Sequence, residues 1–362
     1  MNSPEPHSIK TLQVLSTRAT RIVSTFLQNT LRMPRLHTAR FSGIIMEQEH
    51  LTPLFQSNSL HTLILSRCSL CNMVGLPPPH IRHLTLQSIS VDNWLHMVSL
   101  FGHCNANLET LDHVGELGQV PGPTRLPIFP KLRNLKLVTA SVLVDHIGRF
   151  IPLTPQLEHL EIWGSHPNSG LLALPASLNR LTIGQWMVEH SRFDHHPLLH
   201  LSHLRIQYYD HVADSNRRGI IIPIIQHAFP NLTSLEVDIR YCSRSFVLLV
   251  ARSLPYVTRL QLNIKGTLNT LEYNHDTSQY FTETLEGPLS HLSVDVNVAH
   301  HHKSGMELFK KWVIHTVLQP TVGLGGPHLQ EVEMVFSRSG TDILDAWWCW
   351  KQVKEKWVFK QY

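Results

Sequence analysis

Two cysteines separated by two residues, Cys68-Ser69-Leu70-Cys71, are the first candidates for chemistry in this chain. That gap suits a zinc or thiol–disulfide centre, and His61, His80 and His83 lie near in sequence. Such a zinc centre needs a second ligand pair at matching spacing, and none follows. His300-His301-His302 and Asp194-His195-His196 offer further donors. Adjacent strand residues point to opposite faces, so neither run forms a ligand set by itself. Both are expected in solvated loops. No metal and no cofactor is expected. Asn231-Leu232-Thr233 has the form of a glycosylation acceptor, but Leu232 reads as a core position, so glycosylation is rejected. No P-loop, Gly-x-Ser-x-Gly elbow, His-Glu-x-x-His or dinucleotide fingerprint occurs, and a non-enzymatic protein is expected.

Composition narrows the classes further. The 362 residues are 42% hydrophobic and 16% charged, with a mean hydropathy of -0.08, enough apolar material for a core beyond the usual single-domain limit. A net charge of +4 spread over that length gives no strong field, so nucleic acid is not an expected partner. The 26 histidines are dispersed and read as polar surface. Five cysteines, an odd and sparse set, do not make a disulfide framework. The first ten residues lack a signal-like apolar run, and the longest aliphatic run, Ile220 to Ile225, is interrupted by Pro223. A reducing compartment, cytoplasm or nucleus, and no membrane are expected.

Periodicity decides the architecture. The skeleton Pro130-x-Leu132-x-x-Leu135-x-Leu137 recurs with aliphatic substitutions. Its leading anchors are Leu36, Leu60, Ile81, Leu108, Leu132, Leu157, Leu178, Leu201, Leu232, Val257, Leu289 and Leu329, 21 to 40 residues apart. Seven of these twelve have proline two positions earlier (Pro34, Pro79, Pro130, Pro155, Pro230, Pro255 and Pro327), where background frequency gives roughly one. Proline ends one segment before the next begins. Two apolar residues two apart then mark a strand with one buried face.

Helical spacing fills several intervals: Val91 to Phe101, Ser141 to Phe150, Arg218 to Phe229, Ser245 to Leu254 and Met306 to Leu318. Strand, helix and parallel strand form a right-handed crossover. Stacked, these units predict an α/β right-handed solenoid, a horseshoe with a parallel concave sheet and convex helices. Residues 267–287, 299–305 and 323–327 read as insertions or joints. Residues 1–30 are expected to be an N-terminal helical cap, with a helix from Ile9 to Leu27, before a solenoid over 31–340. Residues 341–362 are expected to be a capping helix with Trp347, Trp348, Trp350 and Trp357. Capping is preferred there to a membrane-surface or nucleic-acid role for the tryptophans and Lys351, Lys354 and Lys356.

Phe129-Pro130-Lys131-Leu132-Arg133-Asn134-Leu135-Lys136-Leu137 and Phe229-Pro230-Asn231-Leu232-Thr233-Ser234-Leu235-Glu236-Val237 resemble the leucine-rich-repeat region of fungal F-box-like proteins, over about residues 31 to 340. In a leucine-rich repeat the position three after the last strand leucine is often Asn or Cys, lodged in a turn. Cys68 stands there after Leu65, so a structural role is expected. The resemblance implies repeats that hold a substrate protein and, in the F-box module, a link to a cullin-ligase adaptor. No Leu-Pro-x-Glu-like helix start stands in residues 1 to 40, so a relative that lost the adaptor module and an incomplete chain are both open.

The outward residues of the expected strands form the binding face. His159, Glu161 and Trp163 beside Arg180, His203 and Arg205, with Glu236 and Arg259, are the expected partner-binding residues, because Trp and Arg are favoured hot spots. The expected function is a protein-binding module, a substrate receptor of F-box/cullin ubiquitin-ligase type with its target on the concave face. The alternative is a leucine-rich-repeat scaffold or sensor with no ligase link.

Overall fold

In the computed structural model, each strand register begins two residues after an anchor. The structure describes residues 9–21, 33–71, 73, 79–91, 94–115, 127–138, 154–163, 174–184, 197–209, 215–239, 250–264, 288–298, 329–338, 344–353 and 356–361. By contacts the chain divides into two units, Met1–Leu178 and Asn179–Tyr362.

In the first unit β1 (Thr11–Arg21) and β2 (Thr38–Glu47) precede helix α1 (Gln48–Phe55). Then come β3 (Thr62–Ser66), β4 (Ser69–Cys71), β5 (His83–Gln87), β6 (Ser90–Val91) and helix α2 (Trp94–Cys104). β7 (Thr110–Val114), β8 (Asn134–Val138) and β9 (His159–Trp163) complete it. The strands β1, β2, β3, β5, β7, β8 and β9 pair in that order, all parallel. A short second ladder runs from the end of β2 through β4 to β6.

The second unit holds β10 (Arg180–Gly184), β11 (His203–Tyr209), helix α3 (Ser215–Ala228), β12 (Ser234–Ile239), β13 (Arg259–Ile264), β14 (His291–Val298) and β15 (Glu331–Arg338). These strands also pair in chain order and in parallel. β16 (Leu344–Val353) and β17 (Lys356–Gln361) then add an antiparallel ribbon to β15.

The repeated proline has a local cause. Leu36, Leu132, Leu157, Leu232 and Val257 each donate their N–H to the carbonyl three residues back, closing a tight turn. Pro34, Pro130, Pro155, Pro230 and Pro255 occupy the second position of those turns, where a fixed φ suits the geometry. After the turn, two successive amides share one carbonyl of the preceding repeat. Arg133 and Asn134 both donate to the Glu109 carbonyl, and Ser290 and His291 to that of Thr258. This fork recurs at each step within a unit and locks the register.

The core follows from the same skeleton. All twelve anchors are buried, as are the residues three positions after them, Ala39, Leu63, Leu84, Leu111, Leu135, Leu160, Leu181, Leu204, Leu235, Leu260, Leu292 and Val332. The next inward row reads Phe41, Leu65, Leu86, His113, Leu137 and Ile162 in the first unit. His113 interrupts it with a ring that is 1% exposed and has no hydrogen-bond partner for either nitrogen among the described residues.

The expected helices over 91–101 and 218–229 are present as α2 and α3, and residues 250–253 are helical. Segments 141–150 and 306–318, and the expected insertions, lie outside the described residues.

Two expected caps are corrected. The helix expected from Ile9 to Leu27 is a strand over Thr11–Arg21, parallel to β2, with Thr11 opposite Thr38. His37 and Thr38 both donate to the Lys10 carbonyl, the fork found at the other repeats. Ile9, Leu12 and Val14 carry the repeat skeleton without its proline, so this segment supplies the neighbour that the edge of β2 needs. The capping helix expected at the C-terminus is the β16–β17 ribbon. Aromatic residues suit a pleated sheet, and strand alternation puts Trp350, 4% exposed, in the core row with Val332.

Candidate protein-binding face

Strand alternation leaves every second side chain on a polar face. In the first unit the rows are Thr38, Thr62, His83, Thr110, Asn134 and His159, then Arg40, Ile64, Thr85, Asp112, Lys136 and Glu161. In the second they are Arg180, His203, Ser234, Arg259, His291 and Glu331, then Thr182, Arg205, Glu236, Gln261, Ser293 and Glu333. Of the residues expected to bind a partner, His159, Glu161 and Trp163 belong to the first unit. Arg180, His203, Arg205, Glu236 and Arg259 belong to the second.

Glu161 and Trp163 are tied to each other. Trp163 Nε1 donates to Glu161 Oε1 at 2.6 Å, and Lys136 Nζ lies 2.7 Å from the same carboxylate. The Lys136 ammonium also stands 5.9 Å from the centre of the Trp163 ring, a cation–π distance. Burial pushes the Asp112 carboxyl above its ordinary range; Lys136 opposes that rise and Glu161 adds to it. The indole is thus positioned by the adjacent row, through Glu161 and Lys136, and stays half-buried on the polar face.

Arg205 is likewise engaged within the fold. Its Nε lies 3.1 Å from Glu236 Oε1, off the N–H direction, so that contact is coulombic. Its Nη2 reaches Asp238 Oδ1 at 3.4 Å. Asn263 Nδ2 donates to Glu236 at 2.6 Å and to Asp238 at 2.8 Å. Asp238 is 1% exposed, and Arg205 and Asn263 help to make its burial tolerable. Glu236 and Arg205, both among the expected contact residues, act first as structural ones.

Arg180 and Arg259 differ. Both are exposed, and neither side chain makes an ion pair or hydrogen bond among the described residues. Between them His203 accepts or donates at 2.6 Å with Ser202 Oγ, and its pKa is lowered by burial first and then by the two arginines. A cavity of about 340 Å3 opens beside Arg259, bordered by Ser234, Gln261, His291, Ser293, Glu331 and Glu333.

One cluster is not legible in the sequence. Glu331, Glu333 and Cys349 place donor atoms within 4.8 Å of one another, and His291 Nε2 is 3.7 Å from Glu331. Cys349 joins them because it pairs with Glu333 across the antiparallel ribbon, which a helical reading of the tail hides. Lys351 Nζ lies 2.7 Å from Glu331 and supplies the positive charge there. That hydrogen bond holds the Glu331 carboxyl below its usual range, and burial pushes the Cys349 thiol up.

The Cys68 to Cys71 pair is not assembled with histidines into a donor set among the described residues. The buried Cys68 Sγ donates to the Ser66 carbonyl at 3.4 Å and that of Phe41 at 3.6 Å, as a turn residue. Cys68, Cys71, Cys104 and Cys349 form no disulfide. No helix among the described residues is long and apolar enough to cross a membrane. Comparison with models of known families and with curated proteins gives no match.

Proposed function

We propose that this chain is a non-enzymatic protein-binding module, a right-handed leucine-rich-repeat solenoid that takes its partner on a concave sheet face, with helices on the convex side. The observation that carries it is the pair of largely polar, mostly half-buried rows, held in register by shared-carbonyl forks within each unit. A face fixed this way loses little entropy on binding, and a broad polar surface suits another protein better than a small molecule. Through its resemblance to F-box-like repeats, the role is that of a substrate receptor for a cullin ligase.

Affinity purification with mass spectrometry tests this. Ser293→Trp sets an indole on the polar face and is expected to abolish partner recovery while leaving the melting temperature within about 3 °C. Equal recovery from both proteins would falsify the docking face. Co-purification of the cullin adaptor supports the ligase role. A second reading is a scaffold with no ligase link, and β1 is in keeping with it, because residues 11–21 belong to the repeat sheet and not to a helical module. Partner recovery without the adaptor would select it.

A further inference from the structure

The polar face of the second unit is divided by charge. Its first row carries Arg180 and Arg259, exposed and unpaired among the described residues, with His203 and Ser234 between them. Among the described residues, the rows behind it carry Glu236, Asp238, Asp295 and Glu333, with Arg205 as the cation. At the far end Lys351 already covers Glu331. The unmatched cations therefore line one edge of the face and the anions lie behind them. The position of His203 reports this: after burial, both arginines act to keep its ring neutral.

A nucleic-acid strand does not suit this surface, since its continuous negative charge would lie against the acidic rows as well. A protein segment can place carboxylates only where the arginines are. Arg180 and Arg259 stand three strand spacings apart, about 14 Å, and an extended chain covers nearly the same distance, about 13.5 Å, in four residues. Residues four apart in such a chain also point to the same side. Two residues further on, the next side chain on that side reaches the cavity beside Arg259. Glu333 borders that cavity, beside the Glu331 that Lys351 covers, and favours a basic or neutral polar group there.

We infer that the first row of the second unit docks an extended acidic segment of a partner protein, laid across the strands, with two carboxylates four residues apart on Arg180 and Arg259. This rests on the docking reading above and names the chemistry of its partner. Planar guanidiniums are suited to the task because each can grip a carboxylate with two parallel hydrogen bonds.

Short random peptides displayed on phage and selected against the full chain at about 50 mM salt, where exposed charges are little screened, test it. The expected pool is enriched in acidic pairs spaced by four. A selected peptide, synthesised and titrated, is expected to bind Arg180→Gln/Arg259→Gln at least about tenfold more weakly, with Arg180→Lys/Arg259→Lys in between. Because neither arginine has an intramolecular partner among the described residues, these variants are expected to melt with the wild type. A pool without acidic pairs, peptides that bind wild type and glutamine variant alike, or a short single-stranded RNA that outcompetes them overturns the inference. Ser293→Trp separates the two claims. Peptides that it blocks but that ignore the arginines leave the docking face and remove the acidic partner, whereas peptides indifferent to all three substitutions remove both.

Discussion

His113 occupies a core position that its repeat neighbours fill with Leu86 and Leu137, and burial pushes its pKa down to about 4 from 6.5. The folded chain thus resists protonating this ring, whereas the unfolded chain does not. Stability present above pH 6.5 should drain away as the pH falls towards 4, by about 3 kcal/mol at 1.4 kcal/mol per pH unit. His113→Leu removes two buried nitrogens that lack partners among the described residues. It should raise stability by about 1–3 kcal/mol at neutral pH and flatten the acid limb, which urea titrations across pH would show. Unchanged acid sensitivity would mean that another group governs it. Arg205 predicts the opposite sign. Arg205→Met takes the guanidinium from the Asp238 carboxylate, which keeps its hydrogen bond from Asn263, and should destabilise by about 1–2 kcal/mol, a figure kept low because the guanidinium is itself a third exposed. It is therefore a poor probe of binding, although its residue type and place in the repeat nominate it.

Among the elements, each of four successive strands in the first unit meets a residue with positive φ seven positions after its anchor: Gly43, Arg67, Ser88 and Gly115. The repeat imposes the left-handed conformation whether or not the residue is glycine. The amides of Arg67, Ser88 and Gly115 donate to the carbonyls of Gln87, Val114 and Val138 in the following repeat, which rewards the conformation. Ser88→Gly should therefore stabilise by about 1 kcal/mol. Gly43→Ala should destabilise by more than that, because its added carbon would collide with the Ser16 carbonyl oxygen. Thermal melts of the two variants moving in the same direction would contradict this account. Replacing the anchor Leu132, fully buried, by alanine should cost about 2–5 kcal/mol through the cavity it leaves.

For the whole molecule, repeats that touch chiefly their neighbours predict local responses to distant changes. Removing residues 344–362 strips β15 of its antiparallel partner and uncovers Val332, which pairs with Trp350. Hydrogen exchange should then accelerate at Val332 and Leu292 while Leu84, in the first unit, keeps its protection. Uniform loss of protection would mean that the repeats unfold as one block. The spacing of leucines and prolines is enough to specify the strand starts, the buried anchors and the division of each strand into core and polar faces. Those are local matters of period and turn chemistry, written in residue types. Whether the terminal segments become helix or strand is a matter of packing, because an open sheet edge has amides and carbonyls to satisfy and a neighbouring chain segment satisfies them. Packing also settles which charges remain available: Lys136, Glu161, Arg205 and Glu236 find partners on adjoining strands, and Arg180 and Arg259 do not among the described residues. Pairing of that kind depends on the register between repeats some 25 residues apart, and no single stretch of sequence contains it.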